Sequence, residues 1–211
     1  MGLNLTKMER GTRLNLSKEQ PALRRVRLGL SWDVKEGVTA DLDASVLCLT
    51  GEEGSEKLVG TLDTNTGVKS GCVWYGSAEK LDGKPTYANG AIIHNGDNRT
   101  GEGEGDDEEI IINLDKIPDE VTHILSVITI YNEDGAEKVN FGRVKNASVR
   151  VYNDETGEAL YEFDLTEDAS NGTAVEMTRL YKKGGDWRLA TLGEVVGETQ
   201  NGLEAILVKY Q

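Results

Sequence analysis

Apolar residues recur at every second position through most of the chain. Val26, Leu28, Leu30 and Trp32 alternate with Arg25, Arg27, Gly29 and Ser31. A side-chain period of two sends the first set to one face and the second to the other, which predicts a half-buried strand with a basic outer face. Leu42, Ala44, Val46 and Cys48 give a second such strand, running to Leu49, with Asp41, Asp43 and Ser45 on its opposite face. Ile110, Ile112 and Leu114 alternate again. His123 to Tyr131 is almost continuously apolar and β-branched, the pattern of a central strand covered on both faces. Cys72 to Tyr75, Val144 to Tyr152 and Ala159 to Leu165 are further strands, the last two separated by turn residues Asn153 to Gly157. Val175–Tyr181 and Asp186–Leu192 predict a hairpin across Lys182-Lys183-Gly184-Gly185. Gly202 to Tyr210 has helical spacing, with Leu203, Ile206, Leu207 and Tyr210 on one stripe. Gly76 to Gly90 reads as a long polar surface loop.

Eight to ten strands, one or two short helices and no strand–helix alternation predict an all-β protein. Two packed antiparallel sheets, a β-sandwich, bury these faces most economically. The 211 residues are expected to form one domain spanning 1–211. At this length roughly 70% of the unfolded surface is buried, so no disulfide framework is needed. Cys48 and Cys72 read as reduced core thiols of a cytoplasmic protein. The N-terminus, Met1 to Lys7, lacks the apolar stretch of a secretory signal.

Charge narrows the function. Lys and Arg number 23 against 37 Asp and Glu, a net charge of -14. That balance excludes a phosphate-neutralising nucleic-acid face and argues against attachment to anionic lipid. No apolar run reaches the ~18 residues of a membrane span, so no membrane insertion is expected. His94 and His123 are too few and too scattered for a zinc site.

Much of the acidity is concentrated. Between Asp97 and Glu109 lie seven carboxylates (Asp97, Glu102, Glu104, Asp106, Asp107, Glu108 and Glu109), a single cation, Arg99, and glycines at 101, 103 and 105. Carboxylates ~5 Å apart repel by about 1 kcal/mol per pair, and the glycines add an entropic cost of ordering. A hard divalent cation reverses that balance. Ca²⁺ takes six to eight oxygens from carboxylates and backbone carbonyls, and glycine lets the chain close on the ion. The segment is not an EF-hand, because Arg99 and Glu102 occupy the third and sixth positions. A second acidic group, Asp33, Asp41 and Asp43, would join it if the strands 26–32 and 42–49 paired as a hairpin. No Gly-x-Ser-x-Gly, Cys/His pair or Walker-type loop is present. The chain therefore reads as a non-enzymatic cation binder. A Ca²⁺- or Mg²⁺-dependent enzyme or ligand-binding module with an open coordination position is the alternative.

These segments together resemble the tellurite-resistance TerD family. The resemblance runs from Leu14-Asn15-Leu16-Ser17-Lys18 to about Leu192 and leaves 193–211 divergent. It rests on Val26 to Asp33, Asp41-Leu42-Asp43-Ala44-Ser45, the acidic segment Gly96 to Glu108 preceded by His94, Asn140 to Ala147, Asp164 to Ser170, and Gly185-Asp186-Trp187-Arg188. It implies an antiparallel β-sandwich holding two calcium ions. Asp33, Asp41, Asp43, Asp97, Asn98, Thr100, Asp106, Asp107 and Glu108 match the family pattern directly. Glu102 and Glu104 stand where the family often has Asp, so their backbone carbonyls, with those of Gly101 and Gly103, take more of the ligation. The resemblance further implies a role in tellurite resistance or stress response. That role would be exercised through calcium-dependent association with other such proteins, in a complex that can be membrane-associated.

Overall fold

A computed structural model describes residues 5–34, 41–96, 105–131, 139–164, 172–196 and 202–211. Its first strands are β1 (Thr6–Lys7), β2 (Arg13–Leu14), β3 (Arg25–Val34), β4 (Asp41–Thr50) and β5 (Lys57–Leu58), with a one-turn helix α1 (Leu16–Glu19) after β2. The middle of the chain gives β6 (Cys72–Val73), β7 (Lys80–Leu81), β8 (Lys84–Tyr87), β9 (Ile92–His94), β10 (Glu108–Asn113) and β11 (His123–Tyr131). Then come β12 (Val144–Asn153), β13 (Glu158–Asp164), β14 (Ala174–Lys183), β15 (Asp186–Val196) and the terminal helix α2 (Gly202–Tyr210).

Two sheets form the expected sandwich. The first has strand order β1-β13-β12-β3-β10-β9-β8-β7, and the second β2-β15-β14-β11-β4-β5, with β6 also on β4. The pairings are antiparallel except for β1 on β13. Between the sheets lie Val26, Leu28, Leu30 and Trp32 of β3, Leu42, Ala44, Val46 and Cys48 of β4, Ile110 and Ile112 of β10, and Ile124, Ile128 and Ile130 of β11. The period-two assignments are met at each of these strands.

β11 is buried on both faces because the second sheet has a second apolar layer outside it. Leu47, Leu49, Leu125 and Val127 meet Ile206, Leu207 and Tyr210 of α2 there, together with Leu58, Val68 and Cys72. The helix seats closely: a Cβ on Gly202 would overlap the carbonyl of Thr173.

The structure settles one open pairing and corrects one expectation. β3 and β4 do not pair as a hairpin. β3 lies between β10 and β12 in the first sheet, while β4 lies against β11 in the second. Each strand has one apolar face, and opposing sheets bury both faces against the same core. Gly76 to Gly90 is not one loop, because β7 and β8 form a hairpin across Asp82-Gly83, both at positive φ, and β8 pairs with β9. Asp-Gly at the tip is the type I′ signal, hidden by flanking segments too short to show a period.

Cys48 lies in the inter-sheet core and Cys72 in the outer layer. Both are buried free thiols. Burial pushes the Cys72 thiol up to about 12, and burial with the neighbouring Cys72 raises Cys48. Thiolate is the reactive form. Ellman's reagent is therefore expected to find no fast-reacting thiol in the native protein and two after denaturation. A native thiol that reacts within seconds would contradict this packing.

Candidate functional site

The topology gathers the candidate acids at one end of the sandwich. β10 begins beside the second half of β3, since Glu108 is opposite Leu30, and Asp107 N–H donates to the Leu30 carbonyl at 2.6 Å. β4 begins where β11 ends, with Asp41 opposite Tyr131. The two sheets touch here, because Ala44 N–H donates to Glu108 Oε2 at 2.6 Å. Asp33, Asp41, Asp107 and Glu108 thus share one end without β3 and β4 pairing with each other. The described strand ends flanking residues 97–104 lie at the same end. Asp97, Asn98, Thr100, Gly101, Glu102, Gly103 and Glu104 themselves fall outside the described residues.

The described acids have distinct settings. The Glu108 side chain is fully buried and enters the core rather than solvent. His94 Nε2 lies 3.2 Å from the Ala44 carbonyl and 3.7 Å from Glu108 Oε2, while His94 Nδ1 accepts from Gly96 N–H at 3.4 Å. An Nε2–H tautomer satisfies these contacts. Glu108 and His94 therefore continue the open edge of β4 with side-chain groups and clamp the sheets beside the acidic segment.

Asp106 and Asp107 are sorted to different surroundings. Asp106 lies on the outer face of the first sheet, its side chain 4% exposed, between two guanidinium groups. Asp107 accepts from Trp32 N–H at 2.9 Å through Oδ2. Burial raises the Asp107 carboxyl above its ordinary range, the Trp32 N–H opposes the rise, and the charges of Asp106 and Asp33 add to it. Burial is the larger cause and the neighbouring carboxylates the smaller.

Asp41 and Asp43 project from the outer face of the second sheet. Asp43, 6% exposed, borders a cavity of about 250 Å³ shared with Ser45, Trp74, Tyr131 and Leu207. Among the described residues no three Asp, Glu, His or Cys side chains converge closely enough to hold a metal ion by themselves. The oxygen donors present suit a hard cation rather than a transition metal. Sequence reasoning gave no part to Arg27, Arg150 and Gly29, which surround Asp106. The available signal was the basic outer face of β3 in so acidic a protein.

Among the described residues no helix is long and apolar enough to cross a membrane.

Comparison with known proteins agrees with this architecture. The TerD domain family matches residues 4–210. The chain is 35% identical over 205 residues to tellurium resistance protein TerD of Serratia marcescens, covering 96% of this chain and 95% of that one. It is 36% identical over 206 residues to general stress protein 16U of Bacillus subtilis, with coverage of 96% and 95%. In fold it is similar to the crystal structure of a Streptomyces coelicolor homologue of telluride resistance protein TerD. The TM-score there is 0.62 at 20% identity, over 90% of this chain and 97% of that one. With its strand order, its acidic end and this near full-length match, the chain belongs to the TerD family of tellurite-resistance and stress-response proteins.

Proposed function

We propose that this protein is a calcium-binding, non-enzymatic member of its family, which acts in the cytoplasm through calcium-dependent association with other tellurite-resistance or stress-response proteins. The observation that carries the reading is the gathering of Asp33, Asp41 and Asp107 at one end of the sandwich, beside strand ends that flank seven further candidate donors at 97–104. Asp33 and Asp107 are the described residues proposed to contribute oxygens to one ion, with Asp41 and Asp43 proposed for the second. Glu108 and Asp106, whose carboxylates hold a backbone N–H and two guanidiniums, act as supports. Bound Ca²⁺ would neutralise the carboxylates where their mutual repulsion is greatest and fix the surface presented to a partner.

The experiment is a Ca²⁺ titration of chelator-stripped protein followed by amide NMR. The Trp32 amide, held by Asp107, and the amides of Asp33 and Asp41 are expected to shift before those of α2. An unchanged spectrum at millimolar Ca²⁺ would refute the reading.

A further inference from the structure

We infer that Arg27, Gly29, Ser31 and Arg150 form a seat on the outer face of the first sheet that fixes the C-terminal end of the acidic segment, with Asp106 as a positioning residue rather than a metal ligand. The inference rests on the calcium reading for its purpose but not for its geometry.

The Asp106 carboxylate is held from several sides. Arg150 Nη1 donates to Oδ1 at 3.0 Å, with Ser31 Oγ at 3.4 Å, and Arg27 Nη1 stands 3.5 Å from Oδ2. The single Ser31 hydroxyl proton lies nearer the Gly105 carbonyl, at 3.1 Å between oxygens, which fastens the preceding residue. Gly29 provides the floor, since a Cβ there would overlap the Asp106 carboxylate. The strand opposes Gly29 to Glu109 and Arg150, so the missing side chain leaves a carboxylate-sized depression in a charged surface.

The two guanidiniums are themselves positioned. Arg27 lies over the Tyr152 ring at 3.9 Å from the centroid and pairs with Glu109. Arg150 Nε donates to Glu162 Oε1 at 2.9 Å. An exposed ion pair contributes little, but a nearly buried carboxylate between oriented guanidiniums is a charge-assisted arrangement with fixed geometry. Asp106 is thereby paired with arginines on the outer face, and the next residue, Asp107, is turned toward Trp32. The seat thus gives two successive carboxylates different settings, Asp106 on the two arginines and Asp107 beside the Trp32 amide.

The test uses the full-length protein, with Arg150→Met and the conservative Arg150→Lys. Gly29→Ala probes the floor, and Arg24→Met is a control that removes the same charge at a distance from Asp106. Two quantities are read: amide exchange at Asp107 with chelator present, and Ca²⁺ affinity by calorimetry. Arg150→Met and Gly29→Ala are expected to speed Asp107 exchange in metal-free protein and to weaken Ca²⁺ by roughly tenfold or more, the scale of lost outer-shell support. Arg150→Lys recovers part of both, and Arg24→Met changes neither. Unaltered Asp107 exchange in Arg150→Met, or an equal effect of Arg24→Met, would overturn the seat. Normal Ca²⁺ affinity with altered exchange would overturn its purpose. A wild-type protein that binds no Ca²⁺ would defeat the calcium reading, while the metal-free exchange would still decide the seat.

Discussion

Replacing Trp32 by alanine is expected to destabilise the protein by about 3–5 kcal/mol, the cost of deleting a large core side chain and leaving a cavity. Trp32 is 2% exposed and lies between the sheets at the acidic end. Its backbone N–H is the partner of Asp107, so the cavity would open directly under that residue. Its indole Nε1 is buried with no hydrogen-bond partner among the described residues. An unpaired buried donor costs about 1–3 kcal/mol. Trp32→Phe removes that donor and keeps an aromatic ring, so its cost should be well below that of alanine. Urea unfolding at constant m-value measures both. A Trp32→Ala loss under about 1 kcal/mol, or a Phe variant as unstable as the Ala variant, would contradict this account of the core.

Calcium is expected to have the other large effect. A ligand that binds only the folded state stabilises by about 2.7 kcal/mol per site at 100 times Kd, and two independent sites double that. For a chain of this length each kcal/mol moves the melting temperature by about 2–4 °C. Saturating Ca²⁺ should therefore raise it by roughly 10–20 °C over the chelator-treated protein. The source of the effect is electrostatic. The net charge of -14 includes seven carboxylates between 97 and 109, and two bound ions would bring it to about -10 at the end where they crowd. Thermal unfolding with chelator and with Ca²⁺ makes the comparison. Coincident curves would contradict it.

The long elements of the fold were legible in the chain because each has a face to bury. The alternation from Val26 to Trp32 and from Leu42 to Cys48, the continuous run at β11, and Ile206, Leu207 and Tyr210 of the helical stripe correspond to observed core positions, with Leu203 packed at the margin. Which strands pair was not legible. Period two reports a buried face and says nothing about neighbours, so it cannot tell a hairpin from two consecutive strands in opposite sheets. Strands of two to four residues, such as β7 and β8, carry too few positions to show any period.

At the site, residue type identified oxygen chemistry but not direction. Asp106, Asp107 and Glu108 are consecutive acids in sequence. In the structure they meet two arginines, the Trp32 amide and the Ala44 amide of the opposite sheet, respectively. That divergence depends on long-range contacts with β3, β4 and β12, which no local pattern encodes.

Calcium binding itself is decided by calorimetric titration of chelator-stripped protein with Ca²⁺. Saturable heat with a stoichiometry of about two ions per chain is expected. No saturable heat up to millimolar Ca²⁺ would contradict it.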